Sequence, residues 1–469
     1  MYSVREDAGG LDNLSLLPPF VPGLGVGGPQ NGGLANMYNV ALNPNNGLPP
    51  VGQTSQAYVP VASKLIGFAC DPNTLGCGPQ YTGNIPFFPS YRVPLHWVSP
   101  TTQQWNLNVQ RALGKGWSME FAYVGTKGDR LRVAKETNQP RVATPSNPIV
   151  QPTFDPVTGL QNGTTAPIVT NTIANAAARA PFQGVGPANV QDFSPSGTSI
   201  YHGFQTMLTH RFAGGLYVQS AYTYSKSLDD TSTGQVAFIS RWNDQTQPGV
   251  SRAPSDFDRR HRSITTFNYA LPWLRGSRGL KHVALADWTL GGVFTLQSGT
   301  PFSVTDASGG AAFPQPAGPV LVTPTFASGF NCSNSFTSGS TGSRAANGYH
   351  NRNAFQNNAA LDVQINNPGG TPDLAATGFG NVPRNCFYGP RQLNLDFSTG
   401  KVFKITEKQE LKFSAEFFNL TNTTSFANPT PANNLVDINS AAVGSASFAP
   451  ITKVNGTPRL IQFALRYSF

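Results

Sequence analysis

From Arg459 to the carboxyl terminus, Ile461, Phe463, Leu465, Tyr467 and Phe469 alternate with Gln462, Ala464, Arg466 and Ser468. Successive side chains of a strand point to opposite faces, so this order predicts a strand with one greasy face and one wet face. Frayed termini seldom bury anything, and a terminal aromatic therefore favours a strand whose outer side meets lipid and whose inner side meets water. The same two-residue period recurs upstream. Leu411, Phe413, Ala415 and Phe417 alternate with Lys412, Ser414 and Glu416, and Leu393, Leu395 and Phe397 alternate with Asn394, Asp396 and Ser398. Trp288, Leu290, Gly292, Phe294 and Leu296 form one face of another strand, with Phe267, Tyr269 and Leu271 on its predecessor. Segments 203–212 and 216–228 flank a tight turn at 213–215 with less clean alternation. Near the front, Trp105, Leu107 and Val109 alternate with Asn106, Asn108 and Gln110, and Trp117, Met119, Phe121 and Tyr123 follow a turn at 113–116. Template matching thus predicts about nine strands.

Short and long connections alternate between them. Short ones fall at 113–116, 213–215, 272–285 and 405–408; long ones run at about 138–198, 229–257, 305–389 and 421–458. Structureless loops of that length count against a compact soluble domain. They suit an outer-membrane barrel, where periplasmic turns are short and extracellular loops long. The last strand then descends to the periplasm, and the first, at 104–111, descends from outside. The predicted fold class is all-β: an antiparallel transmembrane β-barrel, of which this chain supplies a C-terminal portion, open in isolation, with long extracellular loops. Residues 1–103, rich in Gly, Pro and Asn, are expected to be extracellular loop, and residues 104–469 the barrel part. An odd strand count does not close in the usual even-stranded pattern. A soluble β-sandwich is the structural alternative.

Composition narrows this reading. Only 12% of the 469 residues are charged, with 48 Gly and 39 Pro, which disfavours a long solvated helical protein. No apolar run approaches the roughly 18 residues of a spanning helix, so a membrane crossing must use strands of about 9–11 residues. The region after Met1 lacks the basic and apolar parts of a secretory signal, which predicts further sequence upstream. The net charge of +9 comes from 32 scattered Lys and Arg, a distribution unlike a nucleic-acid footprint. Cys70, Cys77, Cys332 and Cys386 lie in loop-like sequence, and their even number suits two disulfides, Cys70 with Cys77 and Cys332 with Cys386, against an alternative of unpaired thiols. Trp105, Trp117, Trp273 and Trp288 fall at predicted strand ends, as aromatic girdles require, although core tryptophans of a sandwich would share that placement.

The strings QQWNLNVQRALGKGWSMEFAYVGTKGDRL, YHGFQTMLTHRFAGGLYVQSAYTYSKSLDD, SDFDRRHRSITTFNYALPW, ADWTLGGVFTLQSGTPFSV, GPRQLNLDFSTGKVFKITEKQELKFSAEFFNLTNTTSFANP and PRLIQFALRYSF resemble, in order from residue 103 to the end, the barrel of Oar-like TonB-dependent transporters, abundant in Acidobacteria. The resemblance implies a barrel of about 22 strands preceded by a carboxypeptidase-regulatory-like domain, a plug and a TonB box. Those parts would lie upstream of Met1. It further implies a Gram-negative outer-membrane location and contacts with lipid and lipopolysaccharide. Tyr467 and Phe469 would be read as an assembly signal by the barrel-assembly machinery. The TonB complex would couple energy through the upstream region, and the cargo would be a large solute: an oligosaccharide, glycan or metal chelate.

The chemistry-bearing candidates are few. Gly23 to Gly28 fits a dinucleotide-loop pattern but lacks a flanking strand and helix, and reads as loop. Asp256, Asp258, Arg259, Arg260, His261 and Arg262 are the densest charged group, readable as a lumen patch for an anionic ligand or as ion pairs fixing strand ends. His202, His210 and His261 lack metal-ligand spacing, and no nucleophile elbow occurs, so neither a metal, a cofactor nor an enzyme is predicted. Candidate lumen or ligand-facing residues are Asn106, Asn108, Gln110 and Glu120; Asp258, Arg260 and Arg262; and Asp396, Lys412, Glu416 and Arg466. The function expected is the C-terminal wall and outer loops of a TonB-dependent transporter. A surface anchor or adhesin without transport, or a non-functional fragment, is the alternative.

Overall fold

The computed structural model describes residues 90–92 and 98–469, apart from 155–160, 173–174, 182–189, 212–213, 233–241, 274–278, 307–312, 314–321, 358–377, 431–434 and 441–447. Nine strands form the continuous path of one 11-stranded sheet, with the short strands Ser90–Arg92 and Ala253–Pro254 paired beside it: β1 (Thr101–Gly114), β2 (Trp117–Glu136), β3 (Val190–Arg211), β4 (Leu216–Asp229), β5 (His261–Ala270), β6 (Trp288–Gln297), β7 (Gln392–Lys404), β8 (Glu410–Phe418) and β9 (Leu460–Ser468). Each pairs antiparallel with its neighbour in sequence, so the order across the sheet is the order along the chain. No pairing joins β1 to β9 among the described residues, and the sheet is an open wall.

The two-residue period carries across the whole sheet because antiparallel partners share a face. One row runs Leu107, Tyr123, Phe204, Tyr224; another runs Phe397, Phe417, Ile461. On the opposite face a single row passes through Asn108, Ala122, Gln205, Thr223, Arg262 and Gln297. The apolar rows are not packed against another layer: Leu107 is 65% exposed, and Phe463 and Leu465 are 67% exposed. Among the described residues, face-to-face burial, which a sandwich requires, is absent from these rows. Where the indole of Trp105 crosses Gly125 on the neighbouring strand, a Cβ would overlap the ring, so the glycine makes room for the aromatic. Gly114, Lys115 and Gly116 all take positive φ and close the β1–β2 turn.

Several connections differ from their sequence expectation. β3 begins at Val190, inside the stretch expected as loop, where it pairs with β2 as far as Glu136 opposite Gln191, and Ser90–Arg92, within the region expected to be loop alone, pairs parallel with the start of β3. The short link after β5 contains a helix, α1 (Leu280–Leu285). Most notably, the long connections are not structureless. Strand Pro301–Thr305 pairs with Phe387–Tyr388 and with Leu435–Asp437, Thr325–Phe326 pairs with Phe355–Gln356, and helix α2 (Thr341–Asn347) is capped by the Ser340 hydroxyl. Phe302, Val304, Phe355, Phe387, Ile438 and Phe448 form a dry core in this cap. Its apolar residues come from distant segments without a period, so strand templates do not register them. The Cys332–Cys386 disulfide, with Cα atoms 5.8 Å apart, staples the cap; Cys70 and Cys77 lie outside the described residues.

His350 is wholly buried in this core, with Phe336, Phe387 and Phe302 rings within 4.6, 4.5 and 5.4 Å of its own. Nδ1 lies 3.2 Å from the Ser335 carbonyl oxygen, and Nε2 has no hydrogen-bond partner among the described residues. Burial pushes its pKa down from 6.5 to about 3; Arg344 adds to the shift and the Ser335 contact opposes it. Between those values the unfolded chain binds more protons than the folded one. The contribution is therefore complete above about pH 6.5 and is lost as pH falls toward 3. At pH 5 the expected loss is about 2 kcal/mol. Melting curves at pH 7 and pH 5 should show a drop in the parent protein that His350→Phe removes; equal drops in both proteins refute this assignment.

Candidate functional site

The polar face of the sheet and the loops above it make up the candidate site. Asn106, Asn108 and Gln110 project from β1 beside Glu120 of β2: Gln110 lies opposite Glu120, and Asn108 Nδ2 donates to Glu120 Oε1 at 2.5 Å. At the other end of the wall, Lys412 lies opposite Arg466, and Glu416 opposite Gln462 and Ser398. Asp396 of β7 is one pleat along the same face, and its Oδ1 accepts the backbone N–H of Asn419 at 2.9 Å. Arg262 stands between these two groups, opposite Thr223 and Gln297. All nine side chains share the polar face, but eight fall in two patches separated by several strands, with Arg262 alone between them.

Between β6, β7 and the 419–457 connection lies a cavity of about 550 Å³. Thr295, Gln297, Gln392, Asn394 and Asp396 supply its strand side; Asn419, Thr423, Ser425 and Asn455 roof it. Phe418 and Leu460, directly paired at the strand ends, add an apolar floor. The roof is held locally: Asn419 Nδ2 donates to the carbonyl oxygens of Thr423 and Thr457, both at 3.1 Å, and the Thr423 N–H returns a bond to Asn419 Oδ1 at 3.0 Å. Such an arrangement offers amide and hydroxyl hydrogen bonds with a single carboxylate. It offers no constellation for nucleophilic chemistry.

Of the ligand-facing candidates from sequence, Asp258 is buried, and Arg260 beside it is partly exposed. Asp258 is 1% exposed; its Oδ1 accepts the Ser227 N–H at 2.7 Å and its Oδ2 accepts the Tyr388 hydroxyl at 2.8 Å. Arg260 Nε pairs with the same carboxylate at 3.0 Å and donates to the Tyr388 oxygen at 3.3 Å. Burial drives the Tyr388 hydroxyl up to about 12, and the neighbouring Asp258 adds to this while Arg260 opposes it. A carboxylate that cannot reach water cannot meet a solute, so this part of the charged cluster is an ion-pair anchor at the head of β5.

Sequence reading missed the side chains that fasten the cap to the wall. Arg384 Nη2 lies 2.7 Å from Asp229 Oδ1 at the end of β4 and donates to Ser232 Oγ at 2.7 Å, while Nη1 donates to the Ser251 carbonyl oxygen at 3.0 Å. Asn385 Nδ2 donates to Asp256 Oδ1 at 2.6 Å. The available signal was thin: lone polar residues beside Cys386 in a chain with few charges.

An antiparallel meander with an exposed apolar face, a polar opposite face and folded loops at one end defines a wall of an integral membrane β-barrel. The chain belongs to the outer membrane beta barrel domain family, with the match covering residues 22–462, and it resides in the outer membrane. Among solved structures it is similar to the outer membrane transporter YddB from Escherichia coli, at 9% identity and a TM-score of 0.36, covering 81% of this chain and 34% of that one. The FpvAI–pyocin S2 complex gives 13% identity and a TM-score of 0.33, covering 79% and 28%. The siderophore receptor PirA from Acinetobacter baumannii gives 9% identity and 0.31, covering 79% and 32%. The chain thus spans about a third of the length of these structures. No curated protein matches it.

Proposed function

We propose that this chain is the C-terminal wall and outer loops of a TonB-dependent transporter similar to the Oar-like group, and that it takes up a large neutral polyhydroxylated solute such as an oligosaccharide. The observation that carries this reading is the roofed cavity on the polar face. Its polar groups are amides and hydroxyls set among apolar surface from Leu393, Phe418 and Leu460, and its one ionisable group, Asp396, already accepts a backbone N–H. Hydrogen bonds from fixed amides suit sugar hydroxyls, whereas a charged metal chelate would call for paired charges. Asn106, Asn108, Gln110, Glu120, Arg262, Lys412, Glu416 and Arg466 would line the remaining path, and Tyr467 and Phe469 would direct assembly.

The test is uptake of a fluorescent maltodextrin and xylo-oligosaccharide mixture by cells expressing the full-length protein, with and without a functional TonB complex. Loss of accumulation with retained surface binding in the TonB-deficient cells is expected. Accumulation that is indifferent to TonB, or uptake only of a ferric chelate supplied in parallel, overturns the reading.

A further inference from the structure

Lys401 sits on β7 directly opposite Trp288 of β6, on the apolar face and at the short-turn end of both strands. A lysine there faces hydrocarbon or its boundary, yet this one is only 4% exposed. Its Nζ donates to the Ala286 carbonyl oxygen at 2.5 Å and to that of His282 at 3.3 Å, and lies 5.8 Å from the Trp288 ring centre. Trp288 Nε1 donates to the Ala284 carbonyl oxygen at 3.0 Å. Both acceptor sets belong to α1 and its C-terminal cap. Since Lys401 and Trp288 are on the apolar face, these bonds draw α1 over that same face rather than beneath the lumen.

Held there, α1 exposes an apolar end. Val283 is 53% and Leu285 58% exposed, and Trp273 at the start of the same connection is 64% exposed. The strand band above it, Trp288 to Gln297, is ten residues long, the length that crosses a bilayer core. α1 therefore lies at the boundary beside Trp288, where Trp side chains sit at headgroup level. Missing strands of a larger barrel would join at β1 or β9, whereas α1 belongs to the β5–β6 connection in the middle of the wall. Completion of the barrel would leave it uncovered.

We infer that α1 is an interfacial foot: Val283, Ala284 and Leu285 insert into the acyl boundary of the periplasmic leaflet, the exposed Lys281 reaches its phospholipid phosphates, and Lys401 with Trp288 locks the helix in that place. The partner is phospholipid of the inner leaflet. This inference requires the membrane-spanning wall but not transport or any particular solute.

Nitroxide labels at Val283→Cys, Leu285→Cys and, as a water-facing reference in the β7–β8 turn, Glu407→Cys test it in the full chain reconstituted into phosphatidylethanolamine and phosphatidylglycerol bilayers, with the unsubstituted chain as labelling background. The ratio of oxygen to nickel-chelate collision should be several-fold higher at 283 and 285 than at 407. Equal ratios at all three sites, which would put α1 in periplasmic water, overturn the inference. So would labels at 283 and 285 shielded from both reagents, which would mean a protein covers the helix.

Discussion

Arg384→Ala is expected to lower the stability of the cap by about 3–5 kcal/mol, the usual consequence of removing one partner from a buried ion pair. The guanidinium is 2% exposed and serves Asp229, Ser232 and the Ser251 carbonyl at once, with Asp256 3.5 Å away. Its loss would strand the Asp229 carboxylate, itself only 5% exposed, away from water at the end of β4. Proteolysis of detergent-solubilised protein should then cut within residues 301–389 while the β-strand band stays intact. An unchanged cleavage pattern together with an unchanged melting temperature would show that the ion pair does not hold cap to wall.

Removing the Cys332–Cys386 disulfide, by Cys→Ser at both positions, is expected to destabilise the cap by about 4 kcal/mol, since the bridge closes a loop of 54 residues in sequence separation. Denaturation midpoints of parent and double-serine protein, both on a Cys70→Ser/Cys77→Ser background and each measured with and without dithiothreitol, report it: reductant should bring the parent down to the variant and leave the variant unmoved. Cys386 belongs to a run of five residues that each bind a different partner. Arg384 takes Asp229, Asn385 takes Asp256, Cys386 takes Cys332, Phe387 enters the dry core, and Tyr388 takes Asp258. Both substitutions release the same segment, so combining them should cost less than the sum of the two.

The strands were legible because their signal is local. In β7, β8 and β9 the alternation of Leu395, Phe413 and Leu465 with Asp396, Lys412 and Arg466 states which face each residue takes, and the register puts those faces together as the period requires. Less regular strands were legible in position but not in extent. β2 and β3 run well past the membrane band because their upper halves pair with each other and need no apolar face there. The polar-face candidates were legible as a face and not as a site, because a period of two says which side a residue occupies and nothing about its distance from residues strands away. Asp258 illustrates the limit: charge alone left a ligand contact and an ion pair both open, and only its burial beside Tyr388 and β4 separates them.

What the sequence determined by itself is therefore the wall: strand number, direction, and the sorting of side chains between hydrocarbon and water, all encoded between neighbours two residues apart. Tertiary structure alone decided the cap and its fastenings. Phe302, His350, Phe387 and Phe448 have no pattern along the chain, and Arg384 meets Asp229 across a separation of 155 residues. Alternation between two solvents is imposed residue by residue, whereas a packed core and its buried charges depend on which distant segments arrive at the same place.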